Sequence, residues 1–163
     1  MESDFRGEVE VILASLRKSK QSLTVAESLT GGLLGGAITS VAGASDVFLG
    51  GIIAYHPRIK SEALAINPDV LSTHGVVSRE VAVAMAQGVK ARLGSDWAIA
   101  TTGVAGPGPS GGVPAGRVWI AIVGPGLELT PFAEELALSG ERSEIRVATI
   151  ARALGAFTRI LNP

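Results

Sequence analysis

Apolar residues recur along the chain at two periods. Phe5, Val9, Ile12, Leu13 and Leu16 fall at helical spacing and predict an amphipathic helix over residues 5–18. The run Leu23-Thr24-Val25-Ala26 reads as a short buried strand, and residues 33–42 are small and apolar enough for a closely packed helix. A second strand covers residues 48–55, ending near Tyr55, where His56-Pro57 breaks it. Pro57 suits the first turn of a helix that runs to about residue 65. Asn67-Pro68 opens a turn, and a short helical piece begins at Asp69. The longest amphipathic pattern follows. Ser78 is a good N-cap, Val81, Met85, Val89 and Leu93 recur on one face, and Gly94 stops the helix. Residues 97–101 form a third strand that enters a Gly- and Pro-rich loop, 102–112. A fourth strand covers 117–123 and a fifth lies within 127–138, with Pro131 as a point of interruption. The two pair as a hairpin across Gly124-Pro125-Gly126. A last helix over 141–161 turns Ile145, Ala148, Ile150 and Leu154 towards its core face. No repeat or linker interrupts this order, which predicts a single α/β domain over residues 1–163, a layered sandwich of helices on a mixed β-sheet.

Composition narrows the class. Hydrophobic residues make up 47% of the chain and mean hydropathy is +0.39, supplied by Ala, Val, Leu and Ile rather than by aromatics, and 21 Gly stand beside them. That profile suits close-packed α/β layers better than a β-sandwich. The net charge of −1, with no block of like charges, argues against a nucleic-acid partner and against a membrane surface. The absence of cysteine rules out disulfides, thiolate catalysis and cysteine-ligated metals, and agrees with a reducing compartment. Met1-Glu2-Ser3-Asp4-Phe5-Arg6 is acidic and lacks the apolar core of a signal peptide. The uncharged stretches 28–45 and 97–116 approach the length of a membrane span, but Gly, Ser, Thr and Pro lace them, so they read as site loops and core. The expected location is the cytoplasm.

Candidate chemistry gathers at two strand ends. Ala26-Glu27-Ser28-Leu29-Thr30-Gly31-Gly32 joins the first strand to the helix behind it. A helix start offers unpaired N–H groups and the positive end of the dipole, suited to an anion or to the oxyanion of an acyl transfer. The plainer alternative is that Ser28 and the glycines only cap the helix. The second place is the Gly/Pro loop. Gly106, Gly108 and Gly111 have the GxGxxG spacing, but a dinucleotide fingerprint must open a helix, which Pro107 and Pro109 oppose. Its N–H groups, with the hydroxyls of Thr101, Thr102 and Ser110, suit a phosphate or a sugar at the end of a buried strand; a surface loop without a ligand is the alternative. Lys60 is either a solvated surface lysine or a desolvated amine with a lowered pKa, able to take a proton from a serine. Tyr55, the single tyrosine, can orient such a lysine or donate to a ligand. Glu27 either orients the site or accepts from N–H groups of the turn. His56 and His74 have no metal spacing with a carboxylate, so no metal is expected.

Several of these segments together resemble one family. They are Ala26 to Gly32; Gly50-Gly51-Ile52-Ile53-Ala54-Tyr55 with Lys60; Gly75-Val76-Val77-Ser78; Thr102-Gly103-Val104-Ala105-Gly106-Pro107; and Gly140-Glu141-Arg142 with Ile145-Arg146. Their order and spacing resemble the C-terminal domain of the CinA (competence/damage-inducible) proteins, whose characterised members are nicotinamide-nucleotide amidohydrolases. The resemblance runs from about Val9 to Leu161 and looks like a stand-alone form, without the N-terminal domain of the larger CinA proteins. It implies hydrolysis of the carboxamide of nicotinamide mononucleotide (NMN) to nicotinic acid mononucleotide and ammonia, a step of pyridine nucleotide recycling, with no cofactor. Under this resemblance Ser28 is the nucleophile that forms an acyl-enzyme, and neutral Lys60 takes its proton and later returns one to ammonia. N–H groups at Thr30-Gly31-Gly32 stabilise the oxyanion, and Tyr55 and Thr102 orient the dyad or the substrate. Glu27, Thr30, Gly31, Gly32, Gly103, Gly106 and Arg142 are the candidate substrate-binding residues. Arg142 and the 103–112 loop are the candidates for the 5′-phosphate, with Arg146 as a weaker one. Dimers among relatives suggest a homo-oligomer, a dimer first.

The chain departs from the family pattern in places. Leu29 stands where relatives often carry Cys, His56-Pro57-Arg58 replaces the usual Ser-Asn-Glu, and Glu141 replaces Asp. Val113-Pro114-Ala115-Gly116 stands where Lys-Pro-Val-Gly is common. The missing lysine removes a possible phosphate contact and leaves a second reading, a non-catalytic nucleotide-binding module of the same fold.

Overall fold

The computed structural model describes residues 5–163, and the acidic opening, residues 1–4, lies outside the described residues. The elements follow in the order α1 (Arg6–Ser19), β1 (Leu23–Glu27), α2 (Leu33–Thr39), β2 (Phe48–Ile53), α3 (Pro57–Leu64), α4 (Pro68–His74), α5 (Arg79–Leu93), β3 (Trp97–Gly103), β4 (Arg117–Val123), β5 (Phe132–Ala137) and α6 (Arg142–Leu161). The strands form one sheet in the order β2-β1-β3-β4-β5. β1 runs parallel to β2 and β3, while β4 and β5 extend the sheet antiparallel, so the sheet is mixed and the fold is α/β.

Strand alternation sorts the core into two layers. Leu23 and Val25 of β1 pack with α1, α2 and α6, whereas Ala26 faces α5. Under α5 the sheet presents Ala26, Ala98, Ala100 and Ala121, small side chains that let Val81, Met85 and Val89 of the helix settle close. α5 starts where Ser78 Oγ accepts from Val81 N–H at 3.2 Å and ends at Gly94, which takes the left-handed φ of 72°. α6 opens on a capping box between Glu141 and Glu144.

Boundaries differ from the sequence pattern where a neighbouring strand decides them. β2 stops at Ile53 rather than Tyr55, because its partner β1 ends at Glu27, the residue opposite Ile53. β3 runs on to Gly103, held by pairing with Val118 of β4. β5 begins beyond Pro131, at Phe132, opposite Ile122 near the end of β4. α2 closes early, at Thr39.

The chain leaves β1 for β2 on one side and returns to β3 on the other. Such a switch opens a crevice beyond the carboxyl ends of the strands, here at Glu27 and Thr101, which are directly paired. Among the described residues no helix is long and apolar enough to cross a membrane.

Candidate active site

Ser28 is the first residue past β1, and its N–H still donates to Thr101 O at 3.0 Å, so the sheet fixes where it stands. The chain then turns: Gly31 N–H donates back to Ser28 O at 3.1 Å, and neither Leu29 nor Thr30 has positive φ, which makes residues 28–31 a type I turn. Gly31 and Gly32 follow at φ 56° and 98°, conformations that a side chain would strain.

The helix start itself is closed to substrate. Glu27, 2% exposed, accepts from the N–H groups of Gly32 (3.0 Å), Leu34 (3.0 Å) and Gly35 (2.8 Å). Glu27 therefore caps α2 from the end of the sheet and is not among the residues lining the pocket. The N–H groups of Gly31 and Gly32 are engaged by Ser28 O and by Glu27, which corrects the expectation that they receive an oxyanion. Thr30 points its hydroxyl to Thr101, Oγ1 to Oγ1 at 2.8 Å, in the core. The two N–H groups of this turn with no partner among the described residues are those of Leu29 and Thr30.

Lys60 comes from the first turn of α3. That helix starts at Pro57, where the His56 side chain accepts from Arg58 N–H at 3.1 Å. Lys60 is 1% exposed, and its Nζ lies 2.9 Å from Ser28 Oγ, 2.7 Å from Ala54 O and 3.4 Å from Tyr55 O. Burial disfavours the ammonium and lowers the pKa from 10.5 to about 8. The solvated-surface alternative does not describe this lysine. A neutral amine has two N–H groups and one lone pair. With the N–H groups on the Ala54 and Tyr55 carbonyls, the lone pair is left for the Ser28 O–H.

The remaining candidates build walls. Thr102, buried, donates its hydroxyl to Val76 O at 2.7 Å and so holds the segment before α5 against the end of β3. Tyr55 is exposed, and its hydroxyl accepts from Arg142 Nη2 at 3.0 Å. Arg142, at the start of α6, also donates from Nη1 to Gly106 O at 2.7 Å, tying the Gly/Pro loop across the mouth. A cavity of about 490 Å³ lies between these parts, lined by Ser28, Leu29, Lys60, Val76, Thr102 and the 103–111 loop, among others. Gly103 is needed for another reason: a Cβ there would stand 2.8 Å from Arg117 O on β4. The 106–111 loop opens no helix, in keeping with its prolines. Arg146 does not reach the pocket. Its Nε donates to Leu29 O at 2.9 Å and its Nη2 to Thr30 O at 3.1 Å. Sequence reasoning missed the Ala54 carbonyl and the Val76 wall, since a backbone atom leaves no residue-type signal. Among the described residues no cluster of three or more His, Asp or Glu forms a metal site.

A nucleophile held beside a buried amine, at the switch point of an α/β sheet, defines a candidate serine–lysine site. Residues 7–161 match the family described as the CinA C-terminal domain, and the chain belongs to that family. It is 46% identical over 155 residues to a CinA-like protein of Parasynechococcus marenigrum, covering 93% of this chain and 36% of that protein. A CinA-like protein of Trichormus variabilis is 44% identical over 166 residues, covering 97% of this chain and 39% of its own length. The chain thus spans little more than a third of these curated relatives. The crystal structure of the competence/damage inducible protein CihA from Agrobacterium tumefaciens superposes with a TM-score of 0.89 at 34% identity, covering 96% of this chain and 94% of that one. The competence damage-inducible protein A of Klebsiella pneumoniae gives 0.90 at 28% identity, covering 95% of both chains.

Proposed function

We propose that this domain is an amidohydrolase that converts NMN to nicotinic acid mononucleotide and ammonia through an acyl-enzyme on Ser28. The observation that carries the reading is Lys60 Nζ, buried and 2.9 Å from Ser28 Oγ, with a pKa lowered to about 8. Neutral Lys60 takes the Ser28 proton as Oγ attacks the carboxamide carbon. The C–O bond forms and the carbonyl oxygen gains the negative charge. On collapse the C–N bond breaks, and the Lys60 ammonium gives its proton to the leaving nitrogen, which departs as ammonia. Water then attacks the ester, Lys60 again taking the proton; the bond between Ser28 Oγ and the acyl carbon breaks, and Lys60 returns that proton to Oγ as the acid leaves. The cavity of about 490 Å³ falls within the range of about 300–1,000 Å³ usual for small-molecule sites. Arg142, the exposed cation in its lining, is the group for the 5′-phosphate.

The test is ammonia release from NMN by the wild type, Ser28→Ala and Lys60→Ala, each checked for folding by circular dichroism, with a chelator present. Release by the wild type that both substitutions abolish supports the dyad. Activity that survives Ser28→Ala overturns the acyl-enzyme. Binding of NMN without release by the wild type favours the non-catalytic module, the reading suggested by Val113-Pro114-Ala115-Gly116 in the loop.

A further inference from the structure

Arg146 sits behind the nucleophile turn, not in front of it. Its guanidinium meets two successive carbonyls, Leu29 O at 2.9 Å and Thr30 O at 3.1 Å, and it is close enough to Gly31 that a Cβ there would stand 3.2 Å from Nη2. A trans peptide is planar, with C=O and N–H pointing opposite ways. Fixing Leu29 O on the Arg146 side therefore points the Thr30 N–H to the other side. The next peptide, also held at its carbonyl, directs Gly31 N–H onto Ser28 O at 3.1 Å, and that bond in turn sets the plane carrying the Leu29 N–H. In a type I turn the central N–H groups project as they do at the start of a helix, towards the side chain of the first residue. Here that residue is Ser28, and α2's own N–H groups are already capped by Glu27. A cation on the carbonyl also polarises the peptide and strengthens the donor at its far end.

We propose that Arg146 is a positioning residue for acyl transfer at Ser28: by clamping the Leu29 and Thr30 carbonyls it presents the Leu29 and Thr30 N–H groups to the oxyanion. This rests on the serine–lysine reading above, and its role differs from that of a phosphate ligand. Arg146 touches the backbone of the turn, so its loss acts on the step in which charge develops and leaves substrate affinity alone.

The experiment uses the full chain and two reporters. One is ammonia release from NMN. The other is the rate at which a fluorophosphonate modifies Ser28, followed by mass spectrometry: Oγ bonds to phosphorus, the P–F bond breaks, fluoride leaves and Lys60 takes the proton. The second reporter needs an activated serine and an oxyanion site but no nicotinamide. In Arg146→Met, kcat and the phosphonylation rate fall together by about 10²-fold while KM moves less than about threefold, and Arg146→Lys, which keeps a cation for one carbonyl, recovers part of both rates. Rates within about twofold of wild type in folded Arg146→Met overturn the proposal, as does a raised KM at unchanged kcat. Should Arg146→Met not fold, Arg146→Lys decides alone: a fall in kcat at constant KM supports the role, and an unchanged kcat overturns it. A wild type that reacts with the fluorophosphonate but leaves NMN intact overturns the substrate reading, and the phosphonylation series then judges Arg146. If the wild type does neither, both readings fall.

Discussion

Lys60 carries a primary amine to a place where its charge meets two carbonyls and a hydroxyl but no carboxylate. Two predictions follow from that environment. As a general base it works only without its proton, so kcat/KM should rise about tenfold per pH unit below a pKa of about 8 and level off above it. A pH–rate profile without that limb argues against Lys60 as the base. The second concerns stability. Between about 8 and 10.5 the unfolded chain still holds the proton that the folded chain has lost, so the unfolded state binds more protons there and stability rises with pH. Below about 8 both states are protonated and the cost of burying the ammonium is felt in full. At about 1.4 kcal/mol per pKa unit the window amounts to roughly 3 kcal/mol. Denaturant unfolding of wild type and Lys60→Met checks this: relative to the variant, the wild type should gain stability across that window, the other titrations cancelling in the difference. The residue types at Ser28, Tyr55, Lys60 and Thr102 could be named from the chain, because hydroxyls, a single tyrosine and glycine-flanked turns are visible there. The resemblance also assigned roles to Ser28 and Lys60, but the contacts of Thr102 and Tyr55 could not be read there. Thr102 donates its hydroxyl to Val76 O and the Tyr55 hydroxyl accepts from Arg142, contacts that depend on backbone and side chains brought from elsewhere.

At the scale of elements, the site is held by two close fits. α3 presents Lys60 and lies against α5, where a Cβ on Gly88 would run into the backbone carbonyl of Leu64. Gly88→Ala must push the two helices apart, costing about 1–3 kcal/mol in denaturant unfolding and lowering activity further as Lys60 withdraws from Ser28. The other fit is the cap of α2. Glu27→Gln keeps the shape but puts an NH₂ where an oxygen accepted, leaving at least one of the N–H groups of Gly32, Leu34 or Gly35 without a partner. The expected loss is about 1–3 kcal/mol, read by thermal or denaturant unfolding, and no loss argues against the cap as described. The period of apolar residues was enough to place α1, α5 and α6 within a residue or two. It misplaced the ends of β2 and β5, since a strand ends where its neighbour does.

Over the whole molecule, α6 joins the separate parts of the site. Ile145, Ile150 and Leu154 anchor it in the core, and its first turns carry both Arg142, tied to Gly106 O and Tyr55 Oη, and Arg146, tied to the nucleophile turn. Removing Arg142 should free the mouth without loosening the sheet. Arg142→Ala is expected to speed amide hydrogen exchange in the 106–111 loop by about tenfold while β1 and β3 keep their protection. Equal exchange in loop and sheet, before and after, argues against the tie.

By itself the sequence determined the elements, the mixed sheet and the two strand ends that matter, because periodicity, caps and glycine-rich turns are local properties that neighbouring residues encode together. Only the tertiary structure decided which groups of those turns remain open. Glu27 rather than a substrate occupies the start of α2, and Arg146 reaches Leu29 O across 117 positions of sequence. Such contacts depend on how the peptide planes of one element meet side chains of another, and no pattern along the chain records that orientation.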